Sequence, residues 1–202
     1  MVYIVGFLAQ ALFSARILVQ WIMSERARRV LSPTLFWVLS LIASCLLCFY
    51  GWLRDDFAIV MGQVIAYYIY IWNLNIKGVW HKVPAPLRVA VMLLPLALIV
   101  PVAHDAGAAV DRFFGNDDIP LWMVIYGSAG QIIFTFRFIY QWLYSRRRGE
   151  SELPGGFWII SLTGSLIIVS YAIFRHDPVL ILGQGVGLIA YTRNLMLWHR
   201  KR

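Results

Sequence analysis

Two arginines lie inside long apolar runs of this chain, where a charged side chain needs a chemical reason. Arg16 belongs to the run GFLAQALFSARILVQW, and Arg137 belongs to the run GSAGQIIFTFRFIYQW. A glutamine follows one helical turn after each arginine, Gln20 in the first run and Gln141 in the second, on the same helical face. Because a planar guanidinium group binds two phosphate oxygens at once, the two runs predict a binding site for an anion.

Acidic residues are expected to lie far from these arginines. The ten Asp and Glu residues fall in predicted loops or at predicted helix ends: Glu25, Asp55, Asp56, Asp105, Asp111, Asp117, Asp118, Glu150, Glu152 and Asp177. No carboxylate is therefore expected at the depth of Arg16 or Arg137, or of Arg193, which is nearer a helix end. Since an unpaired buried charge costs roughly several kcal/mol, we expect a ligand phosphate to neutralise these three residues. The alternative is that the arginine stems extend to lipid headgroups.

A second polar group recurs in the apolar runs at 57–76 and 178–198. Gln63, Tyr67, Tyr70 and Asn73 fall on one broad helical face, and the second run repeats most of this pattern. With the glutamines of the arginine runs, these side chains are predicted to line a path for a substrate. The predicted set is Gln10, Gln20, Gln63, Tyr70, Asn73, Gln131, Gln141, Gln184, Tyr191 and Asn194. Hydrogen bonds between helices are an equally good explanation of these residue types.

The remaining residues that could do chemistry predict no catalytic centre. Trp37 and Trp158 suit either anchoring at the membrane interface or stacking on a sugar ring. The histidines have no metal-ligand spacing, so we expect neither a metal ion nor a cofactor. No serine or cysteine is expected near a base, and no pair of carboxylates lies in the apolar runs, so we expect no enzymatic activity. Cys45 and Cys48 are predicted to pack in a helix rather than to form a redox pair.

Apolar runs of the length of a bilayer core position all of these residues. Apolar residues make up 60% of the chain and charged residues only 14%, which leaves too little polar surface for a soluble domain. Helices satisfy their own backbone groups in lipid, so the fold class is an all-α integral membrane protein. Seven transmembrane helices are predicted, at roughly 2–23, 34–53, 57–76, 86–104, 121–144, 156–174 and 178–198.

The chain contains an internal duplication. Aligned without a gap from Gly6 and Gly127, the two copies share about 22 identities in about 76 positions. Because three helices are an odd number of membrane crossings, the second copy would have the opposite orientation to the first. The apolar segment 87–103, which has no counterpart in either copy, adds one crossing and restores the same orientation. The predicted domains are a three-helix repeat at 1–82, a linker helix with an external loop at 83–120, and a second three-helix repeat at 121–202.

The Arg and Lys clusters predict the orientation of these helices. One set of connections contains most of them: Arg26, Arg28, Arg29, Lys77, Lys82, Arg88, Arg146, Arg147, Arg148, Arg200, Lys201 and Arg202. The opposite set contains only Arg54, Arg112 and Arg175. Basic residues concentrate on the cytoplasmic side of membrane proteins, so the N-terminus is predicted outside and the C-terminus in the cytoplasm. The same distribution accounts for the formal charge of +8 without a nucleic-acid partner.

The 3+1+3 order of helices resembles the SWEET and PQ-loop superfamily, in which parallel repeats are related by an axis along the membrane normal. The motif residues resemble more closely the lipid A biosynthesis N-terminal domain family, which is named after lipid-A-disaccharide synthase. The residues of this resemblance are Arg16, Gln20, Trp21, Gly62, Gln63, Tyr70, Asn73 and Leu74, with Arg137, Gln141, Trp142, Gly183, Gln184, Tyr191, Asn194 and Leu195.

This resemblance implies a membrane transporter of the bacterial inner membrane. The implied substrate is an undecaprenyl-phosphate-linked sugar used to modify lipid A or lipopolysaccharide, moved by a flippase-type mechanism in which the two repeats rock against each other. The alternatives are a SWEET-like uniporter of a small sugar and a non-catalytic membrane module of a lipid A glycosyltransferase. The implied partners are an anionic lipid-linked sugar or phospholipid headgroup, membrane lipids and such a glycosyltransferase, and a homodimer is left open.

Overall fold

The computed structural model describes residues 2–53, 57–104 and 120–199, and these residues are almost entirely helical. Their helices are α1 (Val2–Ala27), α2 (Thr34–Leu53), α3 (Phe57–Ile76), α4 (Ala85–His104), α5 (Leu121–Arg148), α6 (Gly155–Phe174) and α7 (Pro178–His199). A short 3-10 turn, Trp80–Lys82, precedes α4. The prediction of an all-helical chain is confirmed, and within the described ranges each predicted apolar run forms one α-helix.

Three of the described helices are long and apolar enough to cross a bilayer: Tyr3–Ala27, Thr34–Leu53 and Gly155–Phe174. A shorter apolar stretch, Ala85–Ala97, lies in α4. The other helices carry more polar residues, but large apolar side chains cover their outer faces, including Ile65 on α3, Ile132 on α5 and Ile189 on α7. Polar residues thus lie inside and apolar residues outside, which is the arrangement expected when the surrounding solvent is hydrocarbon.

Six of the described helices form a ring of neighbours. Within the first repeat α1 packs on α2 and α2 on α3, and within the second α5 packs on α6 and α6 on α7. The contacts α3–α5 and α7–α1 then join the two repeats. Each helix of the first repeat therefore has an equivalent at the same ring position in the second: α1 and α5, α2 and α6, α3 and α7.

The linker helix α4 lies outside this ring, against α2 and α3, and a proline explains how it is attached. Pro95 has no N–H group, so the carbonyl of Val91, one turn earlier in α4, loses its helical partner. The hydroxyl of Tyr67 on α3 donates to that carbonyl at 2.7 Å. The neighbouring Tyr68 donates to the carbonyl of Met92 at 3.0 Å. Tyr67 shares a helical face with the predicted path residues Gln63 and Tyr70, but its hydroxyl binds α4.

Some residues used for the predictions of orientation and charge lie outside the described residues. The basic ones are Arg54, Arg112, Arg200, Lys201 and Arg202, and the acidic ones are Asp55, Asp56, Asp105, Asp111, Asp117 and Asp118. The predicted external connection also falls largely outside them, at 105–119.

Candidate functional site

A narrow cavity of about 50 Å³ lies inside the ring and is lined from α1, α2, α3, α5 and α7. The sequence-predicted residues that line it are Gln10, Arg16, Gln63, Tyr70, Gln131, Arg137, Gln184 and Tyr191. A water molecule needs about 10–15 Å³ of such volume, so the cavity has room for a few waters only. The structure thus brings both arginines of the apolar runs and four of the predicted amides to one small polar space.

Both arginines are buried, each with only 3% of its surface exposed. Neither guanidinium group reaches the protein surface, so the alternative in which the stems extend to headgroups does not describe this structure. The residues at the same positions in the two repeats, Phe36 and Phe157, are 2% exposed and lie under the two groups. The helical ring therefore encloses two positive charges in a mainly aromatic setting.

The guanidinium group of Arg16 is partly satisfied by its own repeat. Its Nη1 donates to the Ser40 hydroxyl at 2.7 Å and to the Tyr70 hydroxyl at 3.3 Å. The group also lies over the ring of Phe13, 4.4 Å from its centroid. The Nε atom has no hydrogen-bond partner in the described structure, so one N–H of Arg16 remains available to an acceptor.

The guanidinium group of Arg137 is less satisfied than that of Arg16. It stacks on Phe134, 3.2 Å from the ring centroid. Ser161, like its equivalent Ser40, donates to the carbonyl four residues earlier, but it accepts no bond from Arg137 in the described structure. Its Nε and Nη1 atoms are buried and have no hydrogen-bond partner in the described structure. A second buried guanidinium with unused donors thus faces the same cavity.

One phenyl ring, that of Phe138, contacts both charges. Its centroid lies 5.6 Å from the guanidinium carbon of Arg16 and 4.6 Å from that of Arg137. A cation over an aromatic face gains about 0.5–2 kcal/mol. The sequence prediction missed Phe138, because the equivalent residue of the first repeat is Ile17 and the duplication gives no signal at this position.

No carboxylate compensates these two charges within the described ranges. Neither Arg16 nor Arg137 forms an ion pair there. The described acidic residues lie at helix ends or in connections: Glu25 near the end of α1, Glu150 and Glu152 after α5, and Asp177 before α7. Removing a charge from water costs roughly several kcal/mol even after relaxation. This cost exceeds the stabilisation that the cation–π contacts with the aromatic rings provide. The cavity is therefore electrostatically suited to an anion that accepts hydrogen bonds from both sides.

The third predicted anion-binding residue is placed differently. Arg193 on α7 donates from Nε to the Glu25 carboxylate of α1 at 3.0 Å and makes a second bond from Nη2. Both side chains are partly exposed. The prediction that Arg193 lacks a carboxylate partner is wrong, because Glu25 is far away in sequence but adjacent across the contact between α1 and α7.

The asparagines and the second glutamines do not line the cavity. They form two reciprocal amide pairs at the end where α1 and α5 finish. Gln20 Nε2 donates to Asn194 Oδ1 at 2.9 Å and Asn194 Nδ2 donates to Gln20 Oε1 at 3.0 Å. Asn73 and Gln141 exchange the same bonds at 3.1 and 3.0 Å. These four residues, termed the amide layer, are fully buried and join each repeat to the other.

Serines and loop carbonyls complete the amide layer. The second hydrogen of Gln20 Nε2 is shared between the hydroxyl of Ser24 and the carbonyl of Leu31 in the α1–α2 loop. Gln141 donates in the same way to Ser145 and to the carbonyl of Glu152 in the α5–α6 loop. Both loops are thus fastened over one end of the ring. The sequence prediction left out Ser24 and Ser145, although they are identical at equivalent positions.

The two loops also meet directly. Ser151 donates to Asn73 Oδ1 at 2.7 Å, and the hydroxyls of Ser32 and Ser151 lie 3.0 Å apart. Trp37 Nε1 in turn donates to Ser32 at 2.9 Å. Since Trp37 and Ser151 already use their hydrogens, Ser32 must donate to Ser151. This chain of hydrogen bonds closes one end of the ring above the amide layer.

The two predicted stacking residues lie in the protein core rather than beside the cavity. Trp37 is 0% and Trp158 1% exposed, and each packs edge-on against the preceding phenylalanine. Trp158 Nε1 has no hydrogen-bond partner in the described structure, because Leu153 stands where the first repeat has Ser32. In this structure neither indole is exposed at a membrane interface or accessible to a sugar.

The model of the Lipid A Biosynthesis N-terminal domain matches residues 5–75 and again residues 126–196. These two segments coincide with the two halves of the ring. The family resemblance expected from the arginine and asparagine motifs is therefore confirmed.

Curated relatives are named as an enzyme, lipid-A-disaccharide synthase. The protein of Chlamydia pneumoniae is 31% identical over 210 residues, which cover 100% of this chain and 34% of the relative. The proteins of Chlamydia caviae and Chlamydia felis are 29% and 28% identical, and 98% of this chain matches 33% of each. The chain spans about a third of the length of these relatives. No solved structure matches it.

These names correct one expectation from the sequence. The absence of a catalytic constellation predicted a chain without enzymatic activity, whereas its curated relatives have the name of an enzyme. The prediction was wrong because it rested on the residues of this chain alone, and this chain spans only about a third of the length of those relatives. With both repeats matched, the chain belongs to the Lipid A Biosynthesis N-terminal domain family.

Proposed function

We propose that this chain is a membrane-embedded carrier of an anionic lipid-linked sugar in lipid A biosynthesis. Arg16 and Arg137 bind the phosphate, and the best-fitting substrate is a polyprenyl-phosphate-linked sugar moved by a flippase-type mechanism. The observation that carries this proposal is the pair of buried guanidinium groups in one cavity, each with N–H donors that have no partner among the described residues. An uncharged solute would leave both charges uncompensated, and a phosphate neutralises them while accepting their hydrogen bonds.

The amides of the cavity suit the sugar part of such a substrate. Gln10, Gln63, Gln131 and Gln184 line the same space as the arginines. Amide groups both donate and accept hydrogen bonds, as sugar hydroxyls do. At about 50 Å³ the cavity is far below the roughly 300–1,000 Å³ of an occupied ligand pocket. Passage of a sugar therefore requires the two repeats to separate.

The amide layer is the element that such a movement must break. Its bonds connect α1 with α7 and α3 with α5, which are the two contacts that join the repeats. Hydrogen bonds between membrane helices are worth only about 0.6–1.7 kcal/mol each. These bonds are strong enough to keep the path closed at this end and weak enough to break when the two repeats separate. In the proposed mechanism, the structure is the state that is closed at this end.

Basic residues favour a cytoplasmic location for this closed end. Arg28 and Arg29 follow α1, and Arg146–Arg148 end α5, beside the loops that cover the amide layer. With all seven helices crossing the inner membrane, this distribution puts the N-terminus outside. The two repeats are then parallel, as the odd number of helices per repeat and the intervening α4 require.

A second function is favoured by the length of the relatives. The curated synthases are about three times as long as this chain, and the matched segment makes up 34% of the first of them. The chain would then be the membrane part that holds a phosphorylated lipid for a synthase domain. This function uses the same arginine site but needs no opening of the amide layer.

Reconstituted vesicles test the carrier proposal. A fluorescent polyprenyl-phosphate-linked sugar is incorporated in both leaflets, and the fraction accessible to a membrane-impermeant quencher is followed over time. We expect flipping by the natural chain, loss of flipping in Arg16→Gln and Arg137→Gln, and unchanged flipping in Arg147→Gln, whose side chain is exposed.

Three results contradict the carrier proposal. Arginine-dependent binding without flipping by the natural chain favours the membrane part of a synthase. Uptake of free sugar that survives both arginine substitutions favours a uniporter. Flipping that is equally fast in Arg16→Gln and in the natural chain excludes a role for the arginines.

A further inference from the structure

A second cavity lies beside the first, on the outer side of the ring. It has a volume of about 280 Å³ and is formed by α2, α3 and α4. Its wall includes Cys45, Cys48, Val64, Leu94 and Ala97, and its lining is almost entirely apolar. An apolar cavity of about 150 Å³ already stays dry and binds benzene. This space, termed the α4 groove, therefore favours hydrocarbon over water.

The α4 groove opens to the outer surface of the protein. Leu94 and Phe49 line it, and they are 48% and 45% exposed. In a bilayer that surface faces lipid tails, so a chain can enter from the side without crossing a polar layer. The pairs Tyr67–Val91 and Tyr68–Met92 attach α4 to α3 and so maintain the outer wall.

One residue belongs to both cavities. Gln63 on α3 lines the central cavity together with the arginines, and it also lines the α4 groove. It is 9% exposed, and its Oε1 atom has no hydrogen-bond partner in the described structure. A buried acceptor without a partner is costly, so a donor group of a bound molecule is expected at this position.

Among the described residues, the equivalent positions of the second repeat are built differently. There the Oε1 atom of Gln184 accepts a hydrogen bond from Ser165 at 2.8 Å, whereas the equivalent Ser44 donates to the backbone carbonyl of Gln63. The larger Leu166 occupies the position of Cys45. Leu188 replaces Tyr67, so no hydroxyl is available to attach a covering helix. The two repeats thus differ where the groove lies.

We propose that the α4 groove holds one hydrocarbon chain of the same anionic lipid whose phosphate binds Arg16 and Arg137. This inference rests on the proposed function and specifies its substrate as a lipid rather than a soluble phosphate. The phosphate ester that joins chain and head passes Gln63, the residue shared by both cavities, and a hydroxyl of the sugar head donates to Oε1. The substrate is therefore bound on one side of the ring only, with its tail under α4 and its head among the arginines.

Photo-crosslinking tests the proposal in nanodiscs of phosphatidylcholine. The probe is a long-chain monoalkyl phosphate with a diazirine in the middle of its chain, and the adducts are mapped by mass spectrometry. We expect adducts in the groove, at Cys45, Phe49 or Ala97. Ala97→Trp should fill the groove and lower these adducts at least about fivefold, because an overpacked apolar site rejects a chain. Leu166→Trp is the matched control on α6 and should have no effect.

Two controls separate the groove from the arginine site. The same diazirine chain on a phosphocholine head reports ordinary lipid contact, and it should label exposed residues such as Ile189 as strongly as the groove. Cys45→Phe is a second variant that fills the groove, so the test does not depend on the folding of Ala97→Trp alone. Unchanged labelling of the exposed Ile189 in each variant shows that the protein is folded.

The outcomes distinguish the two proposals. Groove adducts of the phosphate probe that vanish in Ala97→Trp and Cys45→Phe and weaken in Arg16→Gln support both. Groove adducts that do not respond to Arg16→Gln or Arg137→Gln contradict the arginine site but keep the groove as a lipid-chain site. Adducts spread equally over Leu166, Ile189 and the groove overturn the groove proposal. Loss of phosphate binding in the arginine variants without any groove adduct overturns it as well.

Discussion

At the scale of single residues, the chain is organised around two buried cations that no carboxylate of the described residues neutralises. Arg16 uses Ser40 and Tyr70 as acceptors, while Arg137 keeps two unpaired nitrogens. The duplication makes the two positions equivalent in sequence, yet their hydrogen bonds differ. This difference makes Arg137 the more available donor for a ligand.

The amide layer gives a prediction at this scale. Gln20→Ala leaves the buried amide of Asn194 without its partner, so the free energy of unfolding should fall by about 1–3 kcal/mol. In a double-mutant cycle with Asn194→Ala, the coupling energy should be about 0.6–1.7 kcal/mol. Thermal unfolding in nanodiscs measures both quantities.

The matched control for that cycle is the pair Gln20→Ala and Asn73→Ala. These two residues belong to different amide pairs, so their effects should add within about 0.5 kcal/mol. Coupling as large as that of Gln20 with Asn194 would contradict the pairing described here.

The sequence indicated which residues are polar and inward-facing, but not which of them bind each other. Helical spacing placed Arg16 and Gln63 on the inward faces of their helices, because the periodicity of polar residues shows which face of a helix is polar. It could not distinguish the amide layer from the cavity wall. The partners Gln20 and Asn194 lie 174 positions apart, and Glu25 and Arg193 lie 168 apart, so only the contact of α7 with α1 reveals them.

At the scale of elements, the attachment of α4 depends on a proline. Tyr67→Phe removes the donor to the Val91 carbonyl, so it should lower the free energy of unfolding by about 1 kcal/mol. In a Pro95→Ala background a backbone N–H becomes available to that carbonyl. The cost of Tyr67→Phe should then fall by at least about half, as measured by unfolding of all four variants.

Tyr68→Phe is the control for this experiment. Its acceptor is the carbonyl of Met92, whose helical donor at Leu96 is present in both backgrounds. Its cost should therefore be the same with Pro95 and with Ala at that position. An equal cost of Tyr67→Phe in both backgrounds would show that the proline does not determine how α4 is attached.

The contact between α3 and α5 gives a second prediction for the elements. A Cβ atom at Gly62 would lie 2.9 Å from Thr135 Oγ1 and 3.1 Å from Gln131 Nε2. Gly62→Ala should therefore push the two helices apart and destabilise the protein by about 1–3 kcal/mol. Gly185 on α7 has nothing within 4 Å of such an atom. Gly185→Ala should be neutral or stabilising by up to about 1 kcal/mol, and similar effects of the two substitutions in thermal unfolding would refute this packing.

The elements themselves were predictable, because apolar runs broken by basic or proline-containing segments locate helices well. α1 and α5 extend beyond their predicted ends, to Ala27 and Arg148. Arginine, alanine and glutamate are good helix formers, so the last turns continue past the apolar run. The position of α4 was not predictable, because it depends on the two tyrosine hydroxyls of α3.

At the scale of the whole molecule, the proposed orientation can be measured with single cysteines. Glu150 and His176 are exposed, at opposite ends of α6. In a background of Cys45→Ala and Cys48→Ala, Glu150→Cys should react with a membrane-impermeant maleimide only after spheroplasts are permeabilised. His176→Cys should react in intact spheroplasts, because the proposed orientation puts this position outside.

The background without an introduced cysteine is the control and should remain unlabelled. Equal reaction of both variants in intact spheroplasts would contradict a span at α6, and the inverse pattern would contradict the orientation derived from the basic residues.

The duplication predicted two equivalent bundles, and the family match follows the same two segments. It did not predict a ring, because repeats can pack in several ways. The closure comes from the contacts α1–α7 and α3–α5, which the amide layer and the Glu25–Arg193 pair strengthen. One cavity with both arginines is the result of that closure.

Cryo-electron microscopy of the chain in nanodiscs with a polyprenyl phosphate tests the central claim most directly. The account predicts phosphate density between α1 and α5, about 3 Å from guanidinium nitrogens of Arg16 and Arg137. This density should be absent from the same preparation of Arg137→Gln. Phosphate density only beside Arg146–Arg148, with the central cavity unchanged, would contradict it.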